Sequence, residues 1–160
     1  MVSYDNFLTK EEAEYIIEFI EKSDSIKDKK SNRNLELCHV SNYTSFKFLE
    51  EKLNSINIIN KPSFNINKYE KGYYFLPHVD KGGPNDPDEQ RVRTIIINLS
   101  NPNNYSGGEL YINNQLISSK QGLAISFDSS TIHEVKKITR GFRYSVVIWL
   151  KKNNIKTSTI

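Results

Sequence analysis

Three side chains in this sequence have the types and the spacing to hold one metal ion. His78 and Asp80 stand two positions apart at the end of the segment Tyr-Glu-Lys-Gly-Tyr-Tyr-Phe-Leu-Pro-His-Val-Asp, residues 69–80. In an extended chain, residues i and i+2 project from one face, so the imidazole and the carboxylate reach toward a common point. Two further histidines are present, His39 and His133. His39 lies in the run Leu-Glu-Leu-Cys-His-Val and reads as a hydrogen-bonded structural residue. His133 is the candidate third ligand. Two imidazoles and one carboxylate form a facial set that suits Fe(II) and leaves coordination positions open for substrate and O2.

A His-x-Asp pair alone is weak evidence; the ordered set around it is more specific. Tyr69 precedes the pair, and Thr94 opens the apolar run Thr-Ile-Ile-Ile-Asn-Leu. Gly107-Gly108-Glu109-Leu110 follows, and Gly122 begins a strand ending at Phe127. His133-Glu134-Val135 comes next, and Arg143 stands ten residues beyond His133 in Gly-Phe-Arg-Tyr-Ser-Val-Val-Ile-Trp. Arg143 shares a strand face with Ser145, Val147 and Trp149, so it points inward, and a charge aimed inward needs a partner. Its planar two-donor fork matches a carboxylate, and Ser145 can add a hydrogen bond. Thr94, Ile96 and Asn98 share a face, which places Asn98 along the same pocket. The Tyr69 hydroxyl is a further binding candidate. Glu134 projects to the opposite face and is expected in solvent.

With these residues in place, the chain resembles the prolyl-4-hydroxylase-type 2-oxoglutarate and Fe(II)-dependent dioxygenases. The similarity runs over residues 69–149, and Asp-Asn-Phe-Leu-Thr at 5–9 resembles the family's N-terminal entry. The resemblance implies that His78, Asp80 and His133 ligate iron, that Arg143 binds the distal carboxylate of 2-oxoglutarate, and that O2 is consumed. Ascorbate is the accessory reductant it brings with it. The implied reaction couples decarboxylation of 2-oxoglutarate to succinate with hydroxylation of an unactivated C–H bond. Family members that halogenate lack the carboxylate ligand, so Asp80 argues for hydroxylation. A prolyl residue in a peptide or protein is the first substrate expected. A free amino acid or other small metabolite is the alternative, and a non-catalytic jelly-roll binding module is the alternative outside enzymes. Asn98 stands where hypoxia-sensing members carry tyrosine, so substrate identity does not transfer in detail.

The elements that must position these groups fall into two parts. Thr9 and Glu12 form a capping box, and Ala13, Ile16, Ile17 and Ile20 follow at helical spacing. A second helix is predicted over 45–56, with Phe46, Leu49, Leu53 and Ile56 on one side. Residues 23–33 are polar and read as a surface loop, and 35–40 as a strand. Beyond Pro62 the helical spacing gives way to short strands at 64–68, 73–79, 93–99, 108–112, 115–118, 123–127, 133–137 and 143–150. Asn113-Asn114 marks a tight hairpin, because asparagine tolerates positive φ. Residues 81–90 hold no apolar side chain and are read as a loop leaving the metal site, suited to act as a lid. The pattern predicts a mainly β double-stranded β-helix, or jelly roll, with N-terminal supporting α-helices. One domain is expected over 1–160, with helical support at 1–60 and the jelly-roll core at 62–150.

Composition fits this reading. The chain has 160 residues, a net charge of +3 and a single cysteine, Cys38, which is expected as a small buried hydrophobe in a reducing, cytoplasmic compartment. No apolar run has the length of a membrane span, and no secretory pattern opens the sequence. Basic residues form no stripe interleaved with aromatics, so charge gives nucleic-acid binding no support.

Overall fold

The computed structural model describes residues 1–157. In chain order the elements are β1 (Val2–Tyr4), α1 (Lys10–Lys22), β2 (Ile26–Lys30), β3 (Arg33–Val40), α2 (Lys47–Ser55), β4 (Phe64–Tyr69), β5 (Tyr74–His78) and β6 (Arg93–Asn98). They continue with β7 (Tyr105–Gly107), β8 (Leu110–Ile112), β9 (Gln115–Leu116), β10 (Ala124–Asp128), β11 (His133–Val135), β12 (Ile138–Gly141) and β13 (Arg143–Leu150).

The first helix begins where its cap dictates. Thr9 Oγ1 accepts from the Glu12 amide at 3.1 Å, and the Glu12 carboxylate accepts from the Thr9 amide at 2.8 Å. Both ends of the expected box are therefore made. The second helix is shorter than predicted, starting at Lys47 with no side-chain cap. Phe46 stands at the N-cap in a non-helical conformation (φ −134°), its buried ring 4.8 Å from Phe19 and 5.4 Å from Phe64 between centroids.

Ten strands follow one another in a curled antiparallel sheet in the order β1-β10-β6-β13-β4-β3-β5-β11-β8-β9, with β2 as an eleventh strand on β3. β7 and β12 pair separately. This is the jelly roll that the strand pattern predicts. Its central strands are buried on both faces, which splits the core in two. Ile95, Ile97, Val146, Ile148, Leu150, Phe64 and Ile66 pack against Ile16, Ile20, Leu49 and Leu53 of the helices. The alternate residues Ile96, Val147 and Tyr69 face the barrel interior with Leu35, Leu110, Phe127 and Val135. Period-two alternation thus sends one side of each strand to the helices and the other to the site. Cys38 is buried and unpaired in the helical-side core, as expected.

Several segments depart from the expectation. Part of 23–33 is not a loop: Ile26–Lys30 pairs with β3 through Lys30↔Arg33, closing a tight hairpin despite its lysines. β1, β7 and β12 were not anticipated, since each is short and is held by cross-strand pairing rather than by its own pattern. The strand predicted over 108–112 begins only at Leu110, because Gly107 and Gly108 both adopt positive φ (+74° and +68°). The predicted strands at 115–118 and 133–137 end at Leu116 and Val135. Asn113 and Asn114, both at positive φ, make the expected hairpin between β8 and β9. Residues 81–90 form no strand or helix.

Candidate metal centre

β5 and β11 are neighbours, and their register sets His78 directly opposite His133. Asp80 follows two residues after His78, where its amide donates to the Ser129 carbonyl at 2.9 Å. One ligand atom from each of the three residues falls within 4.8 Å of the others. His78 Nε2 lies 3.6 Å from Asp80 Oδ1, and His133 Nε2 lies 3.4 Å from Asp80 Oδ2. The remaining ring nitrogens face carbonyls: His78 Nδ1 is 2.8 Å from the Leu76 oxygen, and His133 Nδ1 is 3.0 Å from that of Thr131. A carbonyl can only accept, so both Nδ1 atoms carry the proton and both Nε2 lone pairs are free for a metal. Phe75 stacks on His78 at 3.6 Å, and Phe127 meets His133 edge-on at 4.9 Å, fixing the ring planes.

Burial alone would raise the Asp80 pKa. With no metal on the Nε2 atoms, protonated His133 and His78 rings, together with the Thr94 hydroxyl, outweigh that effect and hold the carboxyl well below its ordinary range. Thr94 Oγ1 donates to Asp80 Oδ2 at 2.7 Å and lies 3.1 Å from Ser129 Oγ. Arg91 Nη1 donates to the Asp80 carbonyl at 3.2 Å, with its guanidinium 4.2 Å over the Trp149 ring and paired to Asp88 at 2.9 Å.

Arg143 points inward, as its strand face predicts, and is 2% exposed. It makes no ion pair among the described residues; its contacts are long ones, 3.5 Å to Ser145 Oγ and 3.4 Å to Asn98 Oδ1. A buried guanidinium with only neutral partners is costly unless an anion joins it. Tyr69 lies against it, ring centroid 5.5 Å from the guanidinium carbon. Burial pushes the Tyr69 hydroxyl up to about 12, against the opposing pull of Arg143, so it stays a neutral donor. One interior cavity is bordered by Tyr69, His78, Asp80, His133, Arg143 and Ser145. It is narrow, about 30 Å³, and the loosely held Arg143 also borders a wider cavity with Asn98, Gly108 and Ser118. On the metal side an outer cleft of about 660 Å³ opens between β3, β4 and residues 79–91.

Six of the seven predicted site residues border one interior cavity, and Asn98 borders the wider one that Arg143 shares. Asn98 departs in detail, since its amide nitrogen is committed to the Ser118 carbonyl at 2.9 Å, leaving its oxygen toward Arg143. Glu134 does turn away from the site, but it is only 18% exposed and pairs with Lys136 at 2.9 Å rather than standing in solvent. Sequence reasoning missed the hold on Asp80 by Thr94, Ser129 and Arg91. Only the shared face of Thr94 and Asn98 hinted at the first.

The donor set fits a divalent metal, and the unpaired Arg143 fits a dicarboxylate. The sequence profile of the 2OG-Fe(II) oxygenase superfamily matches residues 64–151. A PKHD-type hydroxylase from a Caulobacter species is 36% identical over 94 residues, covering 54% of this chain and 41% of its own. One from Teredinibacter turnerae is 35% identical over 97 residues, covering 56% and 42%. The chain therefore spans less than half the length of these curated relatives. A Pseudomonas putida prolyl-4-hydroxylase structure superposes with TM-score 0.73 at 14% identity, over 94% of this chain and 91% of that one. A Trichoplax adhaerens prolyl hydroxylase, in complex with a hypoxia inducible factor peptide fragment, gives 0.73 at 18% identity over 95% and 83%. At such identities the likeness establishes the shared fold.

Proposed function

The chain belongs to the 2OG-Fe(II) oxygenase superfamily, and from that membership we propose that it hydroxylates an unactivated C–H bond of a prolyl residue in a peptide. One observation carries the oxygenase reading. Three ligand atoms close enough to share one ion border an interior with a buried guanidinium that has no carboxylate among the described residues.

In this reading His78, Asp80 and His133 hold Fe(II), and Arg143, Ser145 and Tyr69 receive 2-oxoglutarate. When bound, these groups supply the oxidising power: O2 is split between succinate, formed with CO2, and the hydroxyl placed on substrate. The chain's own part is geometric and electrostatic. The Leu76 and Thr131 carbonyls fix both imidazole tautomers, and Phe75 and Phe127 fix their planes. Arg143 gives the distal carboxylate a two-donor fork, while the neutral Tyr69 hydroxyl adds a donor without adding charge. The apolar walls Ile96, Val135 and Val147 exclude water from the reacting centre. The substrate class is supported by the outer cleft, open enough for a chain segment, and by the fold shared with prolyl hydroxylases.

The test has two stages. Anaerobic Fe(II) with 2-oxoglutarate should give a weak visible charge-transfer band, lost in His133→Ala and kept in Glu134→Ala. If the two variants behave alike, the ligand assignment is wrong. Proline-containing peptides should then stimulate succinate release and gain one oxygen atom. Stimulation by free amino acids alone would leave the oxygenase standing and remove the peptide.

A further inference from the structure

Three buried side-chain polar atoms lack a hydrogen-bond partner among the described residues: Asn67 Oδ1, Trp149 Nε1 and Ser126 Oγ. Ser126 borders neither the interior cavity nor the outer cleft, whereas Asn67 and Trp149 border both, beside His78 and Asp80. Asn67 is only 7% exposed. An unpaired acceptor at that depth has lost its hydration and regains the loss only when a donor arrives. The co-substrate cannot be that donor, since 2-oxoglutarate is a dianion at neutral pH and all its oxygens accept.

We propose that Asn67 and Trp149 read the backbone of the peptide substrate, Asn67 accepting from an amide N–H and Trp149 donating to a carbonyl. This rests on the peptidyl reading above and goes beyond it by naming what the site recognises. Asn67 pairs with Ser145, and Trp149 lies four residues further along β13. At strand rise their backbone positions stand roughly 13 Å apart along the wall, a distance that extended peptide covers in about four residues. The same wall carries Ser63, Asn65 and His39, polar groups suited to a backbone rather than to an aliphatic ligand. A consequence follows for sequence preference. Proline has no N–H, so the donor that Asn67 takes belongs to a non-prolyl neighbour of the target.

A methyl scan tests this. A proline-containing peptide is compared with a series in which each backbone N–H is methylated in turn. Succinate release is one readout. The other is emission from Trp149, the sole tryptophan of the chain, with Mn(II) and 2-oxoglutarate bound. One methylation should weaken binding and kcat/KM about tenfold or more, the cost of an unmade buried hydrogen bond. Asn67→Leu should erase the difference between that peptide and its parent, and Asn67→Asp, which keeps an acceptor, should preserve it. A flat scan in the wild-type protein, or discrimination surviving in Asn67→Leu, overturns the assignment while the peptidyl reading stands. The wild-type scan decides even if the leucine variant does not fold. If the parent peptide neither shifts emission nor releases succinate, the peptidyl reading falls and takes this assignment with it.

Discussion

Asp80 is held from behind by a hydroxyl rather than by a second charge. Thr94 is fully buried, and its 2.7 Å hydrogen bond occupies Oδ2 and fixes the carboxylate plane. Outer partners of this kind commonly contribute 10–100-fold to metal affinity, roughly. Thr94→Val keeps the shape and removes the donor, so Fe(II) or Mn(II) titration should show a loss of about that size. Thr94→Ser should recover most of it. Unchanged affinity in the valine variant would mean that β5 and β11 alone orient Asp80. The sequence only hinted at this hydroxyl, because its partner lies 14 positions away and meets it across folded strands.

At the level of elements, the turn between β7 and β8 sits against the co-substrate end of the barrel. Gly108 adopts φ +68°, and a Cβ there would collide with Ile138 Cδ1 and lie 3.1 Å from Arg143 Cδ. Gly108→Ala therefore combines an unfavourable backbone region with pressure on the guanidinium. The expected result is a loss of about 1–3 kcal/mol in denaturation, together with a raised KM for 2-oxoglutarate. A destabilised variant with unaltered KM would show that Arg143 is indifferent to the turn. β2 shows the limit of pattern reading at this scale. Nothing in Ile-Lys-Asp-Lys-Lys alternates, and the strand exists because β3 supplies a ladder and Arg33 ties Asp28 at 2.7 Å.

Over the whole molecule, Glu21 adds a polar tie between the first helix and the sheet to the core that both helices share with it. It accepts from the Tyr144 hydroxyl at 2.6 Å and pairs with Lys68 at 2.9 Å, linking α1 to β13 and β4. Partial burial alone would raise its pKa, but the Tyr144 and Lys68 hydrogen bonds and the lysine charge carry it below the ordinary 4.5. A depressed carboxylate stabilises the fold fully above its unfolded value and loses that contribution as pH falls through the folded one. Urea unfolding of wild type and Glu21→Gln should therefore differ by a constant amount from pH 7 to about 5 and converge below that. A gap that widens toward acid would contradict the assignment.

The residue types and their order were enough to propose His78 with Asp80 and the inward-facing Arg143, because period-two projection and the need of an inward charge for a partner are local rules; His133 entered through the ordered set and the resemblance it carries. They were enough, too, for the jelly roll and for the capped first helix. What only the tertiary structure decided is how the chain's distant parts meet: the register that faces His133 with His78, the Thr94 grip on Asp80, and the exposed-looking Glu134 folded onto Lys136. It also decided that the Asn67 and Trp149 polar atoms are covered and left without partners among the described residues. Such facts depend on pairing between strands remote in sequence, and no local pattern encodes which strand will lie alongside.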